Sequence, residues 1–134
     1  MMKILMTKDE VEISGDLQSL NIVGRIISDF LLESDCECTV YADQVADPSP
    51  YTMSAQQLIV TKSDGPAKIT ISEPDTLCLS GSVDNIERFL SFMEFDGQTP
   101  NGTHNHFDGL AGDGFVAEDS VETVLTLMNT QQEN

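Results

Sequence analysis

Tryptophan is absent from this chain, and its 134 residues include only two tyrosines, three cysteines and six lysines and arginines. Each scarcity excludes something. Against those six bases stand 23 aspartates and glutamates, a formal charge of −17. Such a surface repels phosphate backbones and anionic lipid, so neither nucleic acid nor a membrane is expected as a partner. No run of 18 apolar residues exists to span a bilayer, and Met1–Met6 is too short for a secretory core. Cys36, Cys38 and Cys78 are odd in number and lack a Cys-x-x-Cys spacing. They read as reduced thiols, small apolar side chains of a cytoplasmic protein. No zinc-ligand spacing joins them to His104 and His106, the two histidines. Also missing are Gly-x-Ser-x-Gly and a phosphate-cradling glycine loop followed by Lys. Asp108-Gly109 and Asp113-Gly114 lack the alternating oxygen ligands of a calcium loop. None of these catalytic templates is met, and none of these patterns calls for a cofactor or a resident metal.

What the chain does have is a pattern that recurs after 66 residues. Val11-Glu12-Ile13-Ser14-Gly15 then lands on Leu77-Cys78-Leu79-Ser80-Gly81, and Leu17, Leu20, Val23, Ile26 and Ile27 land on Val83, Ile86, Phe89, Phe92 and Met93. Each unit reads as strand-strand-helix-strand-strand. In the first, strands at Lys3–Thr7 and Glu10–Ser14 precede Asp16, a good helix N-cap. A helix from Leu17 to about Ser34 carries Leu20, Val23, Ile26, Ile27, Phe30 and Leu31 at three-and-four spacing. Strands at Glu37–Ala42 and Leu58–Thr61 follow, separated by a proline-bearing loop from Asp43 to Thr52. In the second, strands at Lys68–Ser72 and Thr76–Ser80 precede a helix Val83–Phe95 capped by Ser82. A strand at Thr103–Asp108, a glycine-rich loop Gly109–Asp119, a strand Thr123–Met128 and a frayed polar tail Asn129–Asn134 complete it.

The expected fold is therefore α+β, with two ββαββ repeats, residues 1–66 and 67–134, sharing one compact domain. Short connections favour a curved, mainly antiparallel sheet with both helices on one face, related by a pseudo-twofold axis.

One stretch is chemically loaded: Thr103-His104-Asn105-His106-Phe107-Asp108. Residues two apart on a strand share a face, so His104, His106 and Asp108 line up there. That is the layout of a strand-borne metal or small-ligand site, and equally of a contact surface. At the constant offset, the first unit has Cys38 and Val40 in the histidine positions.

The second unit resembles a bacterial immunity family of polymorphic-toxin systems, the one numbered thirty-two. The residues that carry the likeness are Leu77–Ser80, the helix Val83–Phe95, His104-Asn105-His106, the loop Gly109–Asp119, Ser120-Val121-Glu122 and Val124–Leu127. The resemblance covers residues 77–128. It implies a non-enzymatic protein, monomer or homodimer, that binds and silences a cognate toxin. An acidic inhibitor suits a basic toxin, because complementary potential speeds encounter. The implied contact residues are His104, His106, Asp108, Phe115, Ser120 and Glu122. The alternative is a regulatory module that binds a metal or small ligand on the His104/His106/Asp108 face.

Overall fold

The computed structural model describes residues 2–72, 75–109 and 114–129. The middle of the glycine-rich loop and all but the start of the tail lie outside that set. Among the described residues the fold is α+β: two α-helices and two mixed sheets, of five and four strands.

Strand β1 (Lys3–Met6) and strand β2 (Glu10–Gly15) form a hairpin, followed by helix α1 (Leu17–Leu31) and strand β3 (Glu37–Tyr41). Next come β4 (Met53–Ala55), β5 (Gln57–Lys62), β6 (Lys68–Ser72) and β7 (Thr76–Gly81). Helix α2 (Val83–Ser91), β8 (His104–Phe107) and β9 (Glu122–Leu127) complete the order. The first sheet runs β4-β1-β2-β9-β8 and the second β3-β5-β7-β6.

A single curved sheet is thus not what forms. Each helix crosses from one sheet to the other, so the two hairpins of each unit part company: β1–β2 joins the first sheet and β3–β5 the second. The halves are stitched by two parallel seams, β2 with β9 and β5 with β7. The remaining ladders are antiparallel. Parallel strands need a connection of about a dozen residues or more, and both seams have one: β6 lies between β5 and β7, and most of the chain between β2 and β9. The second sheet repeats the scheme of four strands of the first: hairpin, parallel seam, hairpin.

Matching rows through their pairing partners corrects the constant offset. Val11 faces Thr123, which faces Phe107; Leu77 faces Leu58, which faces Val40. Phe107 therefore corresponds to Val40, and both are buried. By the same rows His106 corresponds to Thr39 and His104 to Glu37, not to Val40 and Cys38. A slip of one residue exchanges the faces of a strand. Here α1 and α2 differ in length, 15 residues against 9, and the loops after them absorb the difference out of phase.

One hydrophobic cluster takes residues from both halves. It receives Ile4, Met6, Val11, Ile13, Leu125 and Leu127 from the first sheet and Val40, Leu58, Val60, Ile69, Leu77 and Leu79 from the second. From α1 come Leu20, Val23, Ile27, Phe30 and Leu31, and from α2 Ile86, Phe89 and Leu90. Each such side chain, fully buried, contributes about 1.5–3 kcal/mol. Ile26, expected in the α1 stripe, is 41% exposed beside Ile22. Helix α2 ends at Ser91 with Phe92 as its C-cap, earlier than the apolar pattern suggested. Strand β4 has no alternating pattern of its own; it forms where β1 offers an edge. Gly81, with φ +156°, must be glycine, because a Cβ there would meet the Ala67 backbone at 2.9 Å.

Both helices start as their sequences dictate. Asp16 accepts from the Ser19 N–H at 2.7 Å, and the Ser82 hydroxyl accepts from Asn85 N–H at 3.2 Å. The Ser19 hydrogen bonds, backbone first and then side chain, hold the Asp16 carboxyl below its ordinary range. A lowered folded-state value means stabilisation that is complete above about pH 4 and lost as pH falls through the folded value. Asp16→Ala is expected to cost about 1 kcal/mol at pH 7. In urea titrations its gap from the wild type should narrow below about pH 4.

Candidate functional site

Strand β8 is pinned by one face and open on the other. Phe107 is 1% exposed and meets Phe89 and Phe92 edge-to-face, with ring centroids 5.0 and 5.1 Å away. On the same side Asn105 Nδ2 donates to the Phe92 carbonyl at 2.9 Å. That bond satisfies an acceptor left free where α2 ends. His104 and His106 point the other way and are exposed. Their rings lie 5.2 Å apart, edge to face, and His104 Nδ1 lies 3.3 Å from the Gly102 carbonyl oxygen.

The histidines belong to a wider surface, the outer face of the first sheet. Register places Leu5, Glu12, Val124 and His106 side by side across four strands, with Glu10 next to Glu122 in the neighbouring row. Thr126 Oγ1 donates to Glu12 Oε2 at 3.0 Å and orients that carboxylate. Tyr51 sits in the same field. Its partial burial, then the Glu12 and Glu10 carboxylates, push its hydroxyl pKa up. The matching row of the second sheet is Thr39, Ile59, Cys78 and Thr70, with no charge at all. Two faces built on one scheme thus differ in chemistry: the first carries two imidazoles and the carboxylates of Glu10, Glu12 and Glu122 with Lys3, the second only Glu37 and Lys68, one on each edge strand.

The six residues expected from the sequence divide among three places. His106, Asp108 and Phe115 line a small cavity of 120 Å³ together with Arg88, Phe92 and Phe107. The Arg88 guanidinium stacks over the Phe115 ring, 3.4 Å from its centroid. At this volume the cavity is below the range of cofactor or drug-sized ligand sites. His104 and Glu122 are on the outer face of the first sheet, Glu122 at the start of β9 in the row next to His106. Ser120 serves structure, its hydroxyl accepting from Ile69 N–H at 2.8 Å. Glu10, Glu12, Tyr51 and Arg88 were not foreseen, since no local motif marks them. A larger groove of 740 Å³ runs along the exposed side of α1 past Leu17, Ile22 and Ile26.

Among the described residues no group of three or more His, Cys, Asp or Glu side chains is placed to hold a metal ion. Cys38 and Cys78 lie on opposite faces of the second sheet, for Cys38 shares a face with buried Val40 while Cys78 alternates with buried Leu77 and Leu79. Burial, then the Glu33 carboxylate, raises the Cys38 thiol pKa, the reverse of what a nucleophile needs. No helix among the described residues is long and apolar enough to cross a membrane. No protein-family model matches the chain, and no characterised protein or solved structure matches it.

The two faces of β8 should respond differently to truncation. Phe107→Ala is expected to cost about 3–5 kcal/mol. His104→Ala and His106→Ala should stay within about 0.5 kcal/mol of the wild type. Urea unfolding of the three variants measures the difference.

Proposed function

We propose that this protein is an acidic, non-enzymatic binding module of the immunity type, which occupies a basic toxin in the cytoplasm and blocks it. The observation that carries the reading is the contrast between the two outer faces. Where the second sheet has Thr39, Ile59 and Cys78, with one acid, Glu37, and one base, Lys68, alongside, the first has His106, Val124 and Glu12, with Glu10, Glu122 and a single base, Lys3, alongside.

A net charge of −17 attracts a basic protein from a distance, and a half-buried row holding Leu5 and Val124 offers apolar contact once it arrives. Charge then governs the on-rate and the choice of partner more than the final affinity. Imidazole and carboxylate together supply acceptors for Lys and Arg side chains.

The reading is tested by mixing the protein with the product of a neighbouring toxin gene at several salt concentrations. A complex that weakens as salt rises, and loss of the toxin's activity within it, are the expected results. No complex under any of these conditions refutes the proposal. The triple variant Glu10→Gln/Glu12→Gln/Glu122→Gln should bind about tenfold more weakly at low ionic strength, mainly through slower association. Surface plasmon resonance measures that loss, and the gap should close at about 1 M salt, where screening is nearly complete.

A further inference from the structure

We infer that β8 is an acceptor edge: an extended basic segment of the partner adds to the first sheet as a further strand beside His104–Phe107. This rests on the reading that the partner is basic, and it supplies the mode of docking.

The geometry comes from the ladder. Among the described residues the first sheet ends at β8, and Leu127 N–H donates to the Thr103 carbonyl at 2.9 Å. In an antiparallel pair, successive residues alternate between bonding the neighbour and facing away. With the register His104↔Thr126 through Phe107↔Thr123, Thr103, Asn105 and Phe107 bond β9. The main-chain N–H and C=O groups of His104 and His106 therefore face away from the sheet. They present two donors and two acceptors at strand spacing, the array that strand addition uses.

The other edges are closed or guarded. Beside β6, Ala67 N–H donates to the Phe115 carbonyl, and Ala117 and Val121 N–H donate back to the Ala67 and Ile69 carbonyls, at 2.8–2.9 Å. Strand β4 is only three residues long. On β3 the bonds Lys62 N–H to Cys36 C=O and Ala42 N–H to Gln56 C=O leave Glu37, Thr39 and Tyr41 facing outward. Glu37 there, preceded by Glu33 and Asp35, guards that edge against a second copy of this acidic chain, and the Thr39→Pro variant below tests it against a basic strand. The four residues of β8 carry no carboxylate, proline or glycine.

Charge selects the occupant. A second copy would bring another −17 to the edge, whereas a basic strand is drawn toward the face holding Glu10, Glu12 and Glu122. Alternating Lys and apolar residues would set the apolar side toward the core face and the Lys side over the outer face.

The test uses a fluorescein-labelled octapeptide of alternating Lys and Val, read by anisotropy. Binding is compared among the wild type, His106→Ala, His106→Pro, His104→Pro and Thr39→Pro. Proline at 104 or 106 removes an outward N–H but no bond to β9, and edge strands accept it. The expected result is undiminished binding to Thr39→Pro, a loss of about twofold with His106→Ala, whose imidazole is one acceptor of the outer face, and a loss of about tenfold or more with either histidine-to-proline variant. Hydrogen exchange on the wild type gives a readout free of variant folding: the His104 and His106 amides should exchange rapidly alone and slowly with peptide. If proline and alanine at 106 bind alike, or exchange is unchanged by bound peptide, edge pairing is wrong while the basic-partner reading survives. Loss confined to Thr39→Pro moves the site to β3 and overturns the proposal. If sedimentation shows a dimer that His106→Pro dissociates, a second copy owns the edge and the proposal falls. Absence of peptide binding to the wild type even at low salt removes both the edge and the basic partner.

Discussion

The parallel pairing of β2 with β9, Glu10–Gly15 against Glu122–Leu127, is the constraint on which the rest of this structure depends. It bonds the start of the chain to its end, and its counterpart, β5 with β7, bonds the end of the first half to the start of the second. Neither half can complete its sheet alone. The antiparallel pairs and the β5–β7 seam join segments near in sequence at modest entropic cost, but the β2–β9 seam joins residues more than a hundred positions apart, which is slow and unrewarded until the whole core assembles. The buried cluster spanning both sheets and both helices is what those seams enclose.

The seam also creates the surface on which the proposed function rests. By inserting β9 between β2 and β8 it puts Glu12, Val124 and His106 in one row and Glu10 beside Glu122. These residues come from both ends of the sequence and meet only because the pairing is in that register. At the far side of β9, the seam leaves β8 as the terminal strand, with the main-chain groups of His104 and His106 turned outward. A charged face and an open edge are thus two consequences of one pairing, and the proposed docking mode uses both.

Much of the secondary structure was legible from local rules. The Asp16 and Ser82 caps, the apolar stripes of both helices and the alternation in β2, β7 and β9 all report short-range physics, and they appear where the sequence puts them. Ile26 shows the limit of periodicity, which marks a stripe but not its width. The comparison of halves failed by one residue at β8 because loops of unequal length carry no phase information. Since one residue exchanges strand faces, that small slip gave the histidines the wrong counterparts.

The site was legible only in part. His104 and His106 stand out because the chain has no other histidine, and their alternation on a strand placed them on one face. Ser120, by contrast, turned out to satisfy the Ile69 N–H, and Arg88 and Tyr51 gained their places from packing that no motif encodes. By itself the sequence determined the charge, the helices, most strands and which residues within each strand share a face, because these follow from composition and from the periods of single elements. Only the tertiary structure decided which strands are neighbours, that there are two sheets rather than one, and which carboxylates share a face with the histidines. Those facts depend on pairings between residues more than a hundred positions apart, and the energy that selects among such pairings resides in the assembled core rather than in any local segment.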